Sequence, residues 1–223
     1  LENVDKGIWS IVLTATKAVP HNWFPDLKGL KILGLGSGGG QQGPILAALG
    51  SDVTIFDNSE KQLLQDKTIS DEFNLNIKTV QGDMRDLSIF PDNSFELIFN
   101  PCSILFVDDI STVWEECFRV LKPNGVLMTG LMNPISFQLD EKSLKLIYKQ
   151  PFSDLHSLPK EKLDQLKQNN EALIFGHSLS DQIGGQMDAG FMITDMYEDD
   201  WGGENNLDAY FPVYIATRAI KKQ

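Results

Sequence analysis

Apolar positions along this chain follow two alternating rhythms. Short apolar runs at 31–35, 53–56, 77–80, 95–99 and 126–132 read as buried strands. Between them the spacing lengthens to that of a helix. Ile110, Val113, Cys117 and Leu121 form one such stripe, which Lys122-Pro123-Asn124-Gly125 stops. Val4, Ile8, Ile11 and Ala15 predict a further helix, running to about Val19 and ended by Pro20, with 21–28 as a loop. Pro44 suits the first turn of a helix closing at Gly50, and Ser59 with Gln62 has the spacing of a capping box. Strands separated by helices imply an α/β fold, a doubly wound and mostly parallel sheet with helices on both faces.

The alternation lapses after Asn133-Pro134. Residues 135–177 are rich in Lys, Gln, Ser and Pro and predict a helical, lid-like insertion after the fifth strand. The rhythm resumes with a helix over 180–189, a strand near 191–196 and a last strand near 210–217. The expected organisation is one domain over 1–223. It comprises an N-terminal helix and loop (1–30), a cofactor-binding core (31–134), the insertion (135–177), and a C-terminal helix with strands (178–223).

Charge narrows the partners. Lys and Arg number 19 against 31 Asp and Glu, a net charge of −12. Such a field repels phosphate backbones and anionic lipid, so neither nucleic acid nor a membrane is expected as a partner. No apolar run is long enough to cross a bilayer. Cys102 and Cys117 form no CxxC and no metal-ligand spacing, which predicts a reducing, cytoplasmic setting and no bound metal.

The candidate chemistry begins at Gly36-Ser37-Gly38-Gly39-Gly40, between the first strand and first helix. Glycines there let a ligand approach the backbone beside the positive end of a helix. Gly34, Gly36 and Gly39 fit the dinucleotide spacing GxGxxG, as do Gly38, Gly40 and Gly43. No Lys-Ser/Thr pair follows, which excludes a P-loop. Asp57 closes the second strand, where a carboxylate can accept from ribose hydroxyls. These features suit a nicotinamide cofactor and S-adenosyl-L-methionine equally.

Later segments extend the pattern: Asp57-Asn58-Ser59, Gly82-Asp83-Met84, Ser94-Phe95-Glu96-Leu97-Ile98-Phe99 and Arg119-Val120-Leu121-Lys122-Pro123-Asn124-Gly125. Taken with 32–40, in this order, they resemble the class I S-adenosylmethionine-dependent methyltransferases, in their small-molecule, type 11-like branch. The resemblance implies a Rossmann-like, seven-stranded sheet whose last strand is antiparallel. It places Gly36, Ser37, Gly38 and Gly40 under the methionine and ribose parts of the cofactor. Asp57 would hold the ribose hydroxyls, with Asn58 beside the adenine. Asp83, after Gly82, would accept from the adenine amino group, and the Met84 backbone would meet the ring edge. The Asn100 carbonyl would receive the methionine ammonium. Two positions depart from the family. Gly34 stands where an acid is usual, and Leu105 where a His is frequent.

Methyl transfer needs a base only when the acceptor must lose a proton, and His21, His156 and His177 lie in no motif. No catalytic residue is assigned. Acceptor contacts are expected from the N-terminal helix with Trp9, the Trp23-Phe24 loop, Pro101 to Ser103, Asn133 and the insertion. A small-molecule methyltransferase is the leading reading. A nicotinamide-dependent oxidoreductase and a non-catalytic nucleotide-binding module stand as alternatives, and oligomeric state is left open.

Overall fold

The computed structural model describes residues 1, 4–140 and 142–222. Strands β1 (Lys31–Leu35), β2 (Asp52–Asp57), β3 (Ile77–Gln81), β4 (Phe95–Asn100) and β5 (Leu121–Met132) alternate with helices α1 (Gln42–Ala48), α2 (Glu60–Phe73) and α3 (Ile110–Val120). The insertion carries a short strand pair, β6 (Phe152–Ser153) with β7 (Phe175–Gly176), around α4 (Asp154–Ser157) and α5 (Lys160–Gln168). A π turn, Ser180–Gly184, runs into α6 (Gly185–Asp188), and β8 (Phe191–Asp199) and β9 (Tyr214–Lys221) complete the chain.

The main sheet has seven strands in the order β3-β2-β1-β4-β5-β9-β8. The first five are parallel, and β9 runs antiparallel to both β5 and β8. This is the expected doubly wound sheet with an antiparallel last strand. Every connection among the parallel strands delivers its loop to the same carboxyl edge, where a ligand cleft forms.

Period-two burial makes the sheet two-faced. Leu33, Leu35 and Ile98 pack with Trp114 and Cys117 of α3 on one face. Ile32, Ile55, Leu97 and Phe99 pack with Leu46 of α1, and with Ile11, Leu13 and Trp23, on the other. Burying each large aliphatic side chain contributes about 1.5–3 kcal/mol. Cys117 is a core residue whose thiol burial pushes far above its ordinary pKa.

The N-terminal helix is not formed. Residues 4–23 hold two 3-10 turns, Val4–Lys6 and His21–Trp23, and an isolated antiparallel bridge from Val12 to Ala18. Ile8 is 65% exposed while Ile11 and Leu13 are both fully buried, so the true period is two. The segment's donors go to a distant carboxylate instead of to helical carbonyls. Asp199 Oδ2 accepts from Thr14 Oγ1 (2.6 Å), Thr16 N (2.9 Å) and Lys17 N (2.9 Å), and Oδ1 accepts from Thr16 Oγ1 (2.7 Å). Glu2 and Asn3, at the start of that expected helix, lie outside the described residues. The last strand also sits later than 210–217, because an Asn205–Asp208 capping box winds Asn206–Ala209 into a 3-10 turn before it.

Candidate functional site

The glycine turn after β1 is closed on its far side by side chains. Gly36 has φ +55°, and a Cβ there would come within 2.5 Å of Ser103 Oγ and 2.7 Å of Met84 Cε. A Cβ on Gly38 would meet Gln62 Cβ at 2.8 Å. Neither position has room for a side chain, so bare backbone edges the cleft. Asp57, ending β2, fixes that edge. Its Oδ2 accepts from Gly38 N (2.9 Å) and its Oδ1 from Ser59 N (2.9 Å). A carboxylate offers about four acceptor sites, so roughly two stay available on Asp57.

Asp66 supports the turn from behind. It is fully buried, and its Oδ2 accepts from Gly39 N at 2.8 Å while Oδ1 has no partner. Burial pushes its pKa up, the Gly39 and Gly40 amides pull against that shift, and the Asp57 charge adds to it.

Across the cleft, Gly82 follows β3, and a Cβ there would come within 2.2 Å of the Phe56 ring. Asp83 does not stand free. Arg85 donates to it from its backbone N–H (2.9 Å), from Nε (3.0 and 3.1 Å) and from Nη2 (2.5 Å). Arg85 Nη1 also reaches Asp108 at 2.6 Å. The Arg85 hydrogen bonds hold the Asp83 carboxyl below its usual pKa. Asn100 is buried as a staple: Nδ2 donates to Leu35 O (2.6 Å) and Ser103 Oγ (2.7 Å), and Oδ1 accepts from Thr129 Oγ1 (2.8 Å).

These loops surround a cavity of about 950 Å³. Gly36, Ser37, Gly38, Asp57, Asn58, Gly82, Asp83 and Met84 all line it. Gly40 and Asn100 are not among the lining residues. Gly40 backs onto α2, where a Cβ would lie 2.5 Å from Ile69 Cδ1. Pro101, Cys102 and Ser103 line the cavity as expected, and the insertion contributes Leu155, Ala172, Leu173 and Phe175. Trp9, Trp23 and Phe24 do not line it. Trp9 stacks on His21 and meets Phe24 edge-on, and Trp23 is buried against Tyr197. Asn133 instead caps the turn Pro134–Phe137. His177 holds the insertion to the core, its Nε2 lying 2.7 Å from the Val107 carbonyl, and burial lowers its pKa.

Sequence reasoning missed Arg85, Asp66 and Asp108; the N-terminal segment does wall the cavity as expected, through residues 12–15, but not as a helix. Arg85 had a local signal, two residues after Asp83 in a turn. The others depend on contacts remote in sequence.

The residues present fit S-adenosylmethionine. Two glycines expose backbone where a ribose and methionine chain would lie, and the Asp57 carboxylate offers acceptors at the same edge. The lining carries Asp57, Asp83 and Asp108 against the Arg85 guanidinium, an acidic excess that suits a sulfonium cation. The volume lies near the upper end for ligand pockets, about 300–1,000 Å³.

A methyltransferase domain family matches residues 33–129. The uncharacterized methyltransferase YbaJ of Bacillus subtilis (strain 168) is 51% identical over 226 residues, spanning 99% of this chain and 88% of that protein. The sterol 24-C-methyltransferase erg6 of Aspergillus fumigatus is 32% identical over 102 residues, 44% of this chain and 27% of that protein. A crystal structure of an S-adenosylmethionine-dependent methyltransferase from Mesorhizobium loti superposes with a TM-score of 0.67 at 19% identity, covering 89% of this chain and 94% of that one. Sheet order, glycine cradle and a relative matched along nearly the whole chain agree: this chain belongs to the class I S-adenosylmethionine-dependent methyltransferases.

Proposed function

We propose that the acceptor methylated by this enzyme is a small molecule, and that Asp57 is the chief anchor of the cofactor. The carrying observation is the Asp57 carboxylate, which faces the cavity between the Gly38 and Ser59 amides with acceptor sites to spare for ribose hydroxyls. Bound there, S-adenosylmethionine supplies a methyl group on a sulfonium, open to in-line displacement.

The protein's own part is to bind, align and exclude water. Gly36, Ser37 and Gly38 would pass beneath the methionine and ribose, with Gly40 shaping the turn against α2. Asn58 and the Met84 backbone would border the adenine after Gly82. Asp83 would take the adenine amino group as an acceptor shared with Arg85, since Arg85 already engages both its oxygens. The Asn100 carbonyl, at the end of β4, would accept from the methionine ammonium, while its side chain holds β1 and β5. No lining residue is assigned as a base.

A small acceptor is supported by a cavity of about 950 Å³ and by the sterol named in one relative. The acidic balance argues against nucleic acid, and the paired absence of CxxC and metal spacing argues for the cytoplasm. Among the described residues no helix is long and apolar enough to cross a membrane. Neither the nicotinamide reading nor the non-catalytic one gains support from family membership.

Calorimetry on Asp57→Ala tests the anchor. Affinity for S-adenosylmethionine should fall roughly 10-fold to 100-fold, from the loss of hydrogen bonds to a charged group. Stability should fall only about 1 kcal/mol, as an orphaned cap does. Asp57→Asn should fall between. Unchanged affinity with lowered stability would place the cofactor elsewhere.

A further inference from the structure

We infer that the methyl acceptor is an apolar molecule, held in the half of the cavity that the N-terminal segment and the insertion wall off. This rests on the cofactor placement proposed above. Sheet order grades the cavity from end to end. Asp83 and Arg85 follow β3 and Asp57 ends β2, so the charge gathers on one side of β1. Beyond β1, on the β4 side, the wall is Pro101, Cys102, Ser103, Phe106 and Val107, with Asp108 at its edge.

The two covering segments complete that side with apolar groups. Leu13 crosses the sheet beside Cys102. A Cβ on Gly130 of β5 would lie 1.9 Å from the Leu13 carbonyl and 2.9 Å from the Cys102 amide, so a glycine in β5 is what admits the segment. From the insertion, Leu155, Leu173 and Phe175 face the same space, with Phe175 two residues from the His177–Val107 contact.

Two hydroxyls on this side, those of Thr14 and Ser103, already have side-chain partners. Thr14 Oγ1 donates to Asp199, and Ser103 Oγ accepts from Asn100. The Cys102 thiol, pushed up to about 12 by burial, stays neutral at physiological pH. Asp108, at the mouth, is paired with Arg85. A charged acceptor would leave water for a wall whose one carboxylate, Asp108, is already paired with Arg85, which is costly, whereas each methylene buried there tightens binding roughly fourfold.

The test is calorimetric titration of the full chain with 1-butanol, 1-octanol and glycine, each with and without S-adenosylhomocysteine. Octanol should bind roughly 250-fold more tightly than butanol, the gain of four methylenes at about fourfold each, and glycine should not compete. Leu173→Asp should weaken octanol at least tenfold while S-adenosylhomocysteine affinity holds within about twofold. Equal affinity for the two alcohols, tighter binding of glycine, or indifference of octanol to Leu173→Asp would each overturn the inference. Failure of S-adenosylhomocysteine to bind would count against the cofactor placement instead, and the alcohol series would still decide the nature of the wall.

Discussion

Asp199 and Asp66 are both buried carboxylates that accept from backbone amides, yet their protons respond to pH in opposite senses. At Asp199 burial alone would raise the pKa, but donors from Thr14, Lys17 and Thr16 outweigh it and bring the value to about 2. A depressed native pKa stabilises the fold above the unfolded value, and that contribution is lost as pH falls through about 4 toward about 2. The shift corresponds to about 2 kcal/mol. Asp199→Asn should therefore cost about that much near neutral pH and little near pH 2. Asp66 carries a raised pKa, with burial the largest cause. The unfolded chain releases this proton first, so stability declines as pH rises from the ordinary carboxylate value through the raised native one. Asp66→Asn should remove that decline and gain on the parent protein between mild acid and neutrality. Denaturant titrations across pH would check both, and parallel pH profiles for the two variants would contradict the assignment.

At the scale of elements, the β1–α1 turn explains its own departure from the family. A Cβ on Gly34 would sit 2.4 Å from Ser37 Oγ and 2.6 Å from Ile55 Cδ1, so the Ser37 hydroxyl occupies the place of a side chain at 34. Gly34→Ala should cost about 1–3 kcal/mol by overpacking. Adding Ser37→Ala should recover at least about 0.5 kcal/mol, the coupling expected of touching residues. Strict additivity in thermal melts would refute the contact. The insertion should be the softest element: its α5 buries no residue, and the Ile174–Asp154 hydrogen bond ties it to itself and not to the sheet. Hydrogen exchange should find 135–177 opening faster than 31–132 and slowing when S-adenosylhomocysteine binds. Equal protection in both, unchanged by ligand, would rule out a closing lid. Elements with local cause were legible in the sequence. Val53 to Phe56 and Phe95 to Phe99 are apolar runs covered on both faces, and Asp57 and Gly38 come together because adjacent parallel strands end together. The N-terminal segment was not legible, because Val4, Ile8 and Ile11 match a helical stripe while the deciding partner, Asp199, lies 185 residues from Thr14. Arg85 capturing Asp83 likewise belongs to a turn geometry that spacing does not express.

Across the whole molecule, a net charge of −12 sets how it meets other macromolecules. No shift of duplex DNA or RNA should appear at low micromolar protein in physiological salt, and a salt-sensitive shift would contradict long-range repulsion. Chain connectivity has a further result, for the order in which the protein can assemble during synthesis. β9, the final strand, is the one that fills the gap between β5 and β8. Until it emerges from the ribosome, β8 has no neighbour in the sheet, and the Asp199 at the end of β8 has no fixed place from which to grip Thr14, Thr16 and Lys17. The 14–17 segment must wait for a residue nearly two hundred positions further along the chain. A nascent chain can therefore hold the glycine cradle and Asp57 before residues 12–15 are fixed as the opposite wall of the cavity.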